Sequence, residues 1–236
     1  MSVSRTLTAT LAVGFVLLLG RGAVAAPTAA PEDRLLPVAQ HTSEKARTLA
    51  TTHRPALLEL NTWIYHCVPW VELQKHSVGF FRPKHLTSDD RYLSVRIYIE
   101  QDASPEFASL RVDERASAMF SRYVGPLLRR MTRNPAIMAD PALDGFTLVL
   151  EWMKQIPRGA GDRPIHETIA IFIEKALARD YLAGTLPIVD LASRARVLAF
   201  DGETALGPLR LAVWEDTFVS TYKVTNYVLE PGVTCS

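Results

Sequence analysis

Cysteine is scarce in this chain: Cys67 and Cys235 are the only two in 236 residues. They form no CxxC pair, and no cysteine–histidine array has zinc spacing, so common zinc modules and thioredoxin-type redox sites are excluded. Also absent are a GxxxxGK[ST] phosphate loop, a GxGxxG dinucleotide fingerprint and a GxSxG nucleophile turn. An excess of one charge is missing too, with 26 Lys and Arg against 25 Asp and Glu. A nearly neutral chain lacks the basic field on which nonspecific nucleic-acid binding depends, so no nucleic-acid partner is expected.

One long uncharged apolar run is present, and it stands near the start. Arg5 precedes Leu7–Gly20 (LTATLAVGFVLLLG), and Ala23-Val24-Ala25 then offers small residues at the two positions a signal peptidase reads. These are the three parts of a secretory signal peptide, residues 1–25, with cleavage expected between Ala25 and Ala26. The run is shorter than the roughly 20 apolar residues of a membrane span, and no later segment reaches that length. The mature chain is therefore expected to be secreted or periplasmic, with no transmembrane segment. Cleavage removes Arg5 and Arg21 and no acid, leaving 24 basic and 25 acidic side chains in 211 residues. That length suits one domain, placed at residues 43–236 after an Ala- and Pro-rich flexible leader at 26–42. An oxidising compartment permits a Cys67–Cys235 disulfide without requiring it; two buried thiols are the alternative.

Periodicity then sets the fold class. Ser43 can cap a helix carrying Ala46, Leu49 and Ala50, and Pro55 starts a second one that runs towards Pro69. Tyr92–Glu100 alternates, with Val95, Ile97 and Ile99 on one side, and Ser77–Phe81 is a weaker strand. Asp113 to about Thr132 is the strongest helix. Ala116, Met119, Phe120, Tyr123, Val124, Leu127, Leu128 and Met131 form its stripe, and Pro126 off the stripe predicts a kink. Phe146–Lys154 alternates again. Lys175–Ala183 reads as a short helix ended by Gly184. Ala195–Asp201 reads as a strand turning at Gly202, with Leu209–Val213 pairing back and Thr217–Leu229 as a last strand. The expected class is α+β: a mostly antiparallel sheet with one long and several shorter helices on one face. The central order of strand, helix, strand, strand, helix, strand matches a ferredoxin-like split βαβ core.

Chemistry is harder to find. His166 and Glu167 adjoin, but Ile169, Ile171 and Ile173 share one parity, so residues 166–173 read as a strand. The histidine and glutamate then point to opposite faces. The second histidine of a helical zinc motif is also missing. Glu100, Asp102, Glu174 and Asp201 stand at strand ends, where convergence would suit a divalent cation or an acid–base pair; acids that begin helices or line solvated edges are the plainer reading. Arg122, Arg129, Arg130 and Arg133 crowd the end of the long helix, favoured there by its dipole, and could contact an anion or acidic headgroups. His66, His76 and His85 match no metal spacing, and neither a metal nor a cofactor is expected. No catalytic constellation is visible, which favours a binding or interaction module outside the cytoplasm with an unknown ligand or protein partner. A hydrolase using strand-end carboxylates and a peripheral membrane-surface component are the rivals. If the export reading holds, mass spectrometry of the secreted chain will give Ala26 as its first residue; a retained Met1 or Ser2 would refute it.

Overall fold

A computed structural model describes residues 27–100, 105–155, 164–202, 204–221 and 227–235; the expected signal peptide, residues 1–25, lies outside them. Two helices come first, α1 (Glu44–Thr52) and α2 (Arg54–Cys67), followed by β1 (Val71–Leu73), β2 (Gly79–Phe81) and β3 (Tyr92–Ile99). Next come α3 (Pro105–Ser109), α4 (Val112–Met131), α5 (Pro135–Ala139), β4 (Gly145–Gln155) and β5 (Ile165–Glu174). The order closes with α6 (Lys175–Leu182), α7 (Ile188–Arg194), β6 (Arg196–Asp201) and β7 (Thr204–Pro208). The local signals act as the sequence suggests. Ser43 accepts from the Ala46 amide, Pro55 sits in the first turn of α2, and Gly184 takes positive φ just after α6. Helix α4 runs continuously through Pro126.

Seven strands form one mostly antiparallel sheet in the order β1-β3-β4-β5-β6-β7, with β2 pairing β3 beside β1. The fold is α+β. Alternation places one side of each strand in register with its neighbours, so dry rows cross the sheet. Val95, Leu148, Ile171 and Val197 make one row, and Ile97, Leu150, Ile169 and Ala199 the next. These residues and the whole apolar stripe of α4 belong to one buried core. Each large aliphatic side chain so buried contributes about 1.5–3 kcal/mol. At Gly145 a Cβ would lie 2.5 Å from the Ile173 carbonyl oxygen and 2.6 Å from the Tyr92 ring, so only glycine lets β3, β4 and β5 close here.

Four expectations need correction. The strand order is not that of a split βαβ unit, because β3 and β4 pair directly and in parallel. In the split arrangement the first and last core strands pair, but β1 and β2 already occupy that edge of β3, so β6 joins β5 instead. The expected leader is not free within 32–41. Leu35 and His41 are buried, Leu35 bridges to Val78, and the buried His41 ring accepts from the Phe80 amide at 3.3 Å while its other nitrogen meets the Pro37 carbonyl. Burial holds the His41 pKa below its ordinary value, consistent with that neutral role. Then, β6 pairs with Thr204–Pro208, and of the expected Leu209–Val213 partner only the Leu209 amide reaches it, donating to the Val197 carbonyl. Gly202, at φ 58°, reverses the chain at once. The following segment crosses α4 instead, with the Ala212 and Trp214 amides donating to Ser117 and Ser121 hydroxyls. Nor do the described residues of 217–229 form a strand: 218–221 are helical, capped by Asp216 on the Phe218 amide, and 222–226 lie outside them.

The end of the dry face is not apolar. Its last row is Ile99, Trp152, Glu167 and Asp201. Glu167, 1% exposed, takes two 2.6 Å bonds from Arg115 of α4 and one from the Trp152 indole. Lys154 reaches Asp201 at 2.7 Å and lies 3.7 Å from Glu167. The remaining Arg115 nitrogen donates to the Ala108 and Leu110 carbonyls. This pair fastens α4 to the sheet. Removing one partner leaves a buried charge unmatched, so Glu167→Ala should lower unfolding free energy by about 3–5 kcal/mol. In the Arg96–Glu151 pair the arginine is half exposed and the buried carboxylate keeps His166 as a partner, so Arg96→Ala should cost clearly less, about 1 kcal/mol. Equal effects of the two changes in urea unfolding would show that Glu167 has no such role.

Candidate functional site

A cleft of about 520 Å³ opens where the two ends of the described chain meet the sheet edge. Helix α2 supplies Asn61, Ile64, Tyr65 and His66, and β1 supplies Val71, Glu72 and Leu73. Pro69, Arg34 and Glu100 join them, and the C-terminal segment closes the far side with Tyr227, Val228, Leu229 and Glu230. Local sequence explains each wall. The apolar side of α2 faces the core and leaves Tyr65 half out of it. Strand β1 alternates buried, exposed, buried, so Glu72 points away from Val71 and Leu73.

The C-terminal wall is held by covalent and aromatic contacts. Cys67, the last residue of α2, is disulfide-bonded to Cys235 across a separation of 168 residues. The buried Trp70 has Tyr227 at 5.2 Å and Phe218 edge-on at 6.3 Å, and its indole N–H donates to the Tyr123 hydroxyl. Glu230 ties the two ends together: its carboxylate accepts from the Thr28 amide at 2.9 Å and lies 3.8 Å from His66 Nδ1. Three carboxylates, Glu72, Glu100 and Glu230, therefore line the cleft against one guanidinium, Arg34, which already bonds Glu72 at 3.0 Å. The arrangement suits a ligand that brings positive charge and some apolar surface.

The residues singled out by sequence are distributed as follows. Glu100 follows β3 and lines this cleft. Asp201 ends β6 at the same end of the sheet, but β4 and β5 intervene. Glu174 lies at the opposite end, where it pairs with Gly145 and stands at the N-cap of α6. Glu100, Glu174 and Asp201 are therefore not brought together; Asp102 lies outside the described residues. Burial, followed by the charges of Glu174, Asp90 and Asp144, pushes Tyr92 up to about 12. The four arginines are drawn into local contacts. Arg122 lies 4.6 Å over the Phe218 ring, Arg129 over Tyr181, and Arg130 over Trp63 and 3.1 Å from Glu59, which Arg133 also approaches. His66 lines the cleft, His76 follows β1, and His85 sits edge-on to Phe172. Among the described residues no group of three or more His, Cys, Asp or Glu is arranged to hold a metal ion. Among them, too, no helix is long and apolar enough to cross a membrane.

His166 does face away from Glu167, and it finds a different carboxylate. Its Nδ1 meets Glu151 at 3.0 Å, and Glu151 also accepts two bonds from Arg96. These three residues come from adjacent strands on the uncovered face, with Tyr98 5.4 Å from the imidazole. Sequence reasoning missed this diagonal contact, because Glu151 and His166 are joined only by the β4–β5 register. The cleft was missed as well: Glu230 drew no attention, and β1 is only three residues long. No protein-family model, curated protein or solved structure matches this chain.

The disulfide closes a very long loop, which gives an upper stabilisation of about 5 kcal/mol in the chain-entropy account. Denaturant unfolding with and without reductant should therefore shift by several kcal/mol, and Cys67→Ser with Cys235→Ser should match the reduced form. An unchanged midpoint would show that the bond does not fasten the C-terminal wall.

Proposed function

We propose that this protein is an exported binding protein, and that its ligand is a cationic, partly apolar molecule held in the cleft between α2, β1 and the C-terminal segment. The observation that carries this reading is the composition of that cleft. A volume of about 520 Å³ lies within the roughly 300–1,000 Å³ typical of small-ligand sites. Tyr65 and Val228 give it accessible apolar surface over a floor of Val71 and Leu73, while its carboxylates outnumber its single guanidinium. Concave sites of one sign concentrate ligands of the other. The disulfide supports export, since such bonds persist in oxidising compartments.

The test is calorimetric titration with spermidine, with benzylamine and with short lysine–valine peptides, using acidic peptides as controls. Cationic probes should bind and acidic ones should not. Added salt should weaken binding, and Glu100→Gln with Glu230→Gln should reduce affinity at least tenfold. Glutamine at 230 keeps an oxygen acceptor for the Thr28 amide, so the wall should stay in place. If no cationic probe binds, or the double variant binds them as well as the parent, the reading is wrong.

A further inference from the structure

The edge of β1 gives the cleft a further property. The Gln74 amide donates to the Arg96 carbonyl, and the Glu100 amide to the Trp70 carbonyl, each at 2.9 Å. In the antiparallel register of β1 and β3 these contacts make 74↔96 and 70↔100 hydrogen-bonded pairs, with Glu72↔Tyr98 between them. Such pairs recur at every second residue, so the residues between turn their N–H and C=O groups away from the partner strand. Val71 and Leu73 are those residues. The Val71 amide is used by the Val68 carbonyl. In that register the Val71 carbonyl and both backbone groups of Leu73 point away from β3, and among the described residues no turn, loop or side-chain hydrogen bond takes them; the two residues lie at the bottom of the cleft, 6% and 4% exposed. β1 is an end strand of the sheet, and the cleft lies along it. The N-terminal segment makes backbone bonds with residues 76–78, through His76 to Asp33, Ser77 to Arg34 and Leu36 to Val78, and meets β1 through the Arg34–Glu72 side-chain pair.

We infer that the occupant of this cleft is an extended basic peptide that adds to the free edge of β1 as a further strand. The inference rests on the cleft being the binding site and names the ligand class. Unpaired edge groups of a strand are a template for another chain, and peptides use such edges through main-chain bonds, with pockets reading alternate side chains. A segment matching the three residues of β1 would span about 10 Å at roughly 3.3 Å per residue. Its side chains would alternate as those of β1 do. One set would lie with Val71 and Leu73, and the other with Glu72, where lysine or arginine would meet the carboxylates.

The probe is an acetylated, amidated peptide of five residues alternating lysine and valine, titrated into the full mature chain. Two N-methylated forms accompany it, one methylated at the lysine amides and one at the valine amides. A strand added to an edge uses only one alternate set of its amides, so one form should bind at least tenfold more weakly and the other nearly as well as the parent. Hydrogen exchange at the Leu73 amide should slow at least tenfold in the complex. If both methylated forms bind like the parent, or Leu73 exchange is unchanged while the peptide binds, strand addition is wrong and the cationic cleft stands. If spermidine or benzylamine binds and the peptide does not, the outcome is the same. If none binds, both readings fall.

Discussion

The sheet has one dry face, and the remaining architecture follows from that. Leu93, Val95, Ile97 and Ile99 lie on it from β3, and Phe146, Leu148, Leu150 and Trp152 from β4, all fully buried. Helices that must hide an apolar stripe have only this surface to cover, so α4 and the shorter helices share its core. The opposite face needs no cover. It carries Arg96, Glu151 and His166, which are bonded to one another. A layer of this kind leaves two places for recognition, its open face and its edges. The open face carries the Arg96–Glu151–His166 set, and His85 packs on Phe172 there. The β1 edge is concave and has unused backbone groups.

Much of this layer was legible before any coordinates. Period-two alternation at Ile97, Leu148 and Ile171 marks strands, and the stripe from Ala116 to Met131 marks α4, because both patterns record the burial of one side. Caps at Ser43 and Gly184 are equally local. Strand order is not local. Nothing in residues 92–99 says that β1 and β2 will occupy their edge, and this occupancy displaces β6. Glu167 could have been found. It shares parity with three buried isoleucines, and Arg115 stands one turn before Met119 on the α4 stripe, so a charged pair at the rim of the core was available to be read. The C-terminal segment was misread because its β-branched and aromatic residues favour a strand, whereas Phe218 and Tyr227 are used to cover Trp70.

The cleft is a product of the chain ends more than of the sheet. The N-terminal segment arrives through the Pro31 carbonyl on Asn61 and the Arg34–Glu72 pair. The C-terminal segment arrives through Cys235 and Tyr227, and Glu230 joins the two at Thr28. Among the described residues neither end contributes a regular strand or a long helix, so pattern reading assigns them little. Yet Cys67 closes α2 directly beside Pro69 and Trp70, so that one short stretch provides the covalent anchor, the turn and the aromatic platform.

Net charge conceals how the ions are arranged. The chain is nearly neutral, with 26 Lys and Arg against 25 Asp and Glu, but net charge says nothing of local fields. The arginines at the end of α4 are matched by Glu59, by Asp216 and by aromatic rings. Arg115 and Lys154 are committed to Glu167 and Asp201. Once these cations are assigned to their neighbours, the cleft retains more carboxylate than guanidinium, and it does so against low-dielectric walls of Ile64, Val71 and Leu73. A charge excess in a concave apolar site acts more strongly than the same excess on an open surface, because less water screens it. The excess of carboxylate in the cleft thus follows from where the compensating arginines are placed, and not from any surplus of acid in the chain.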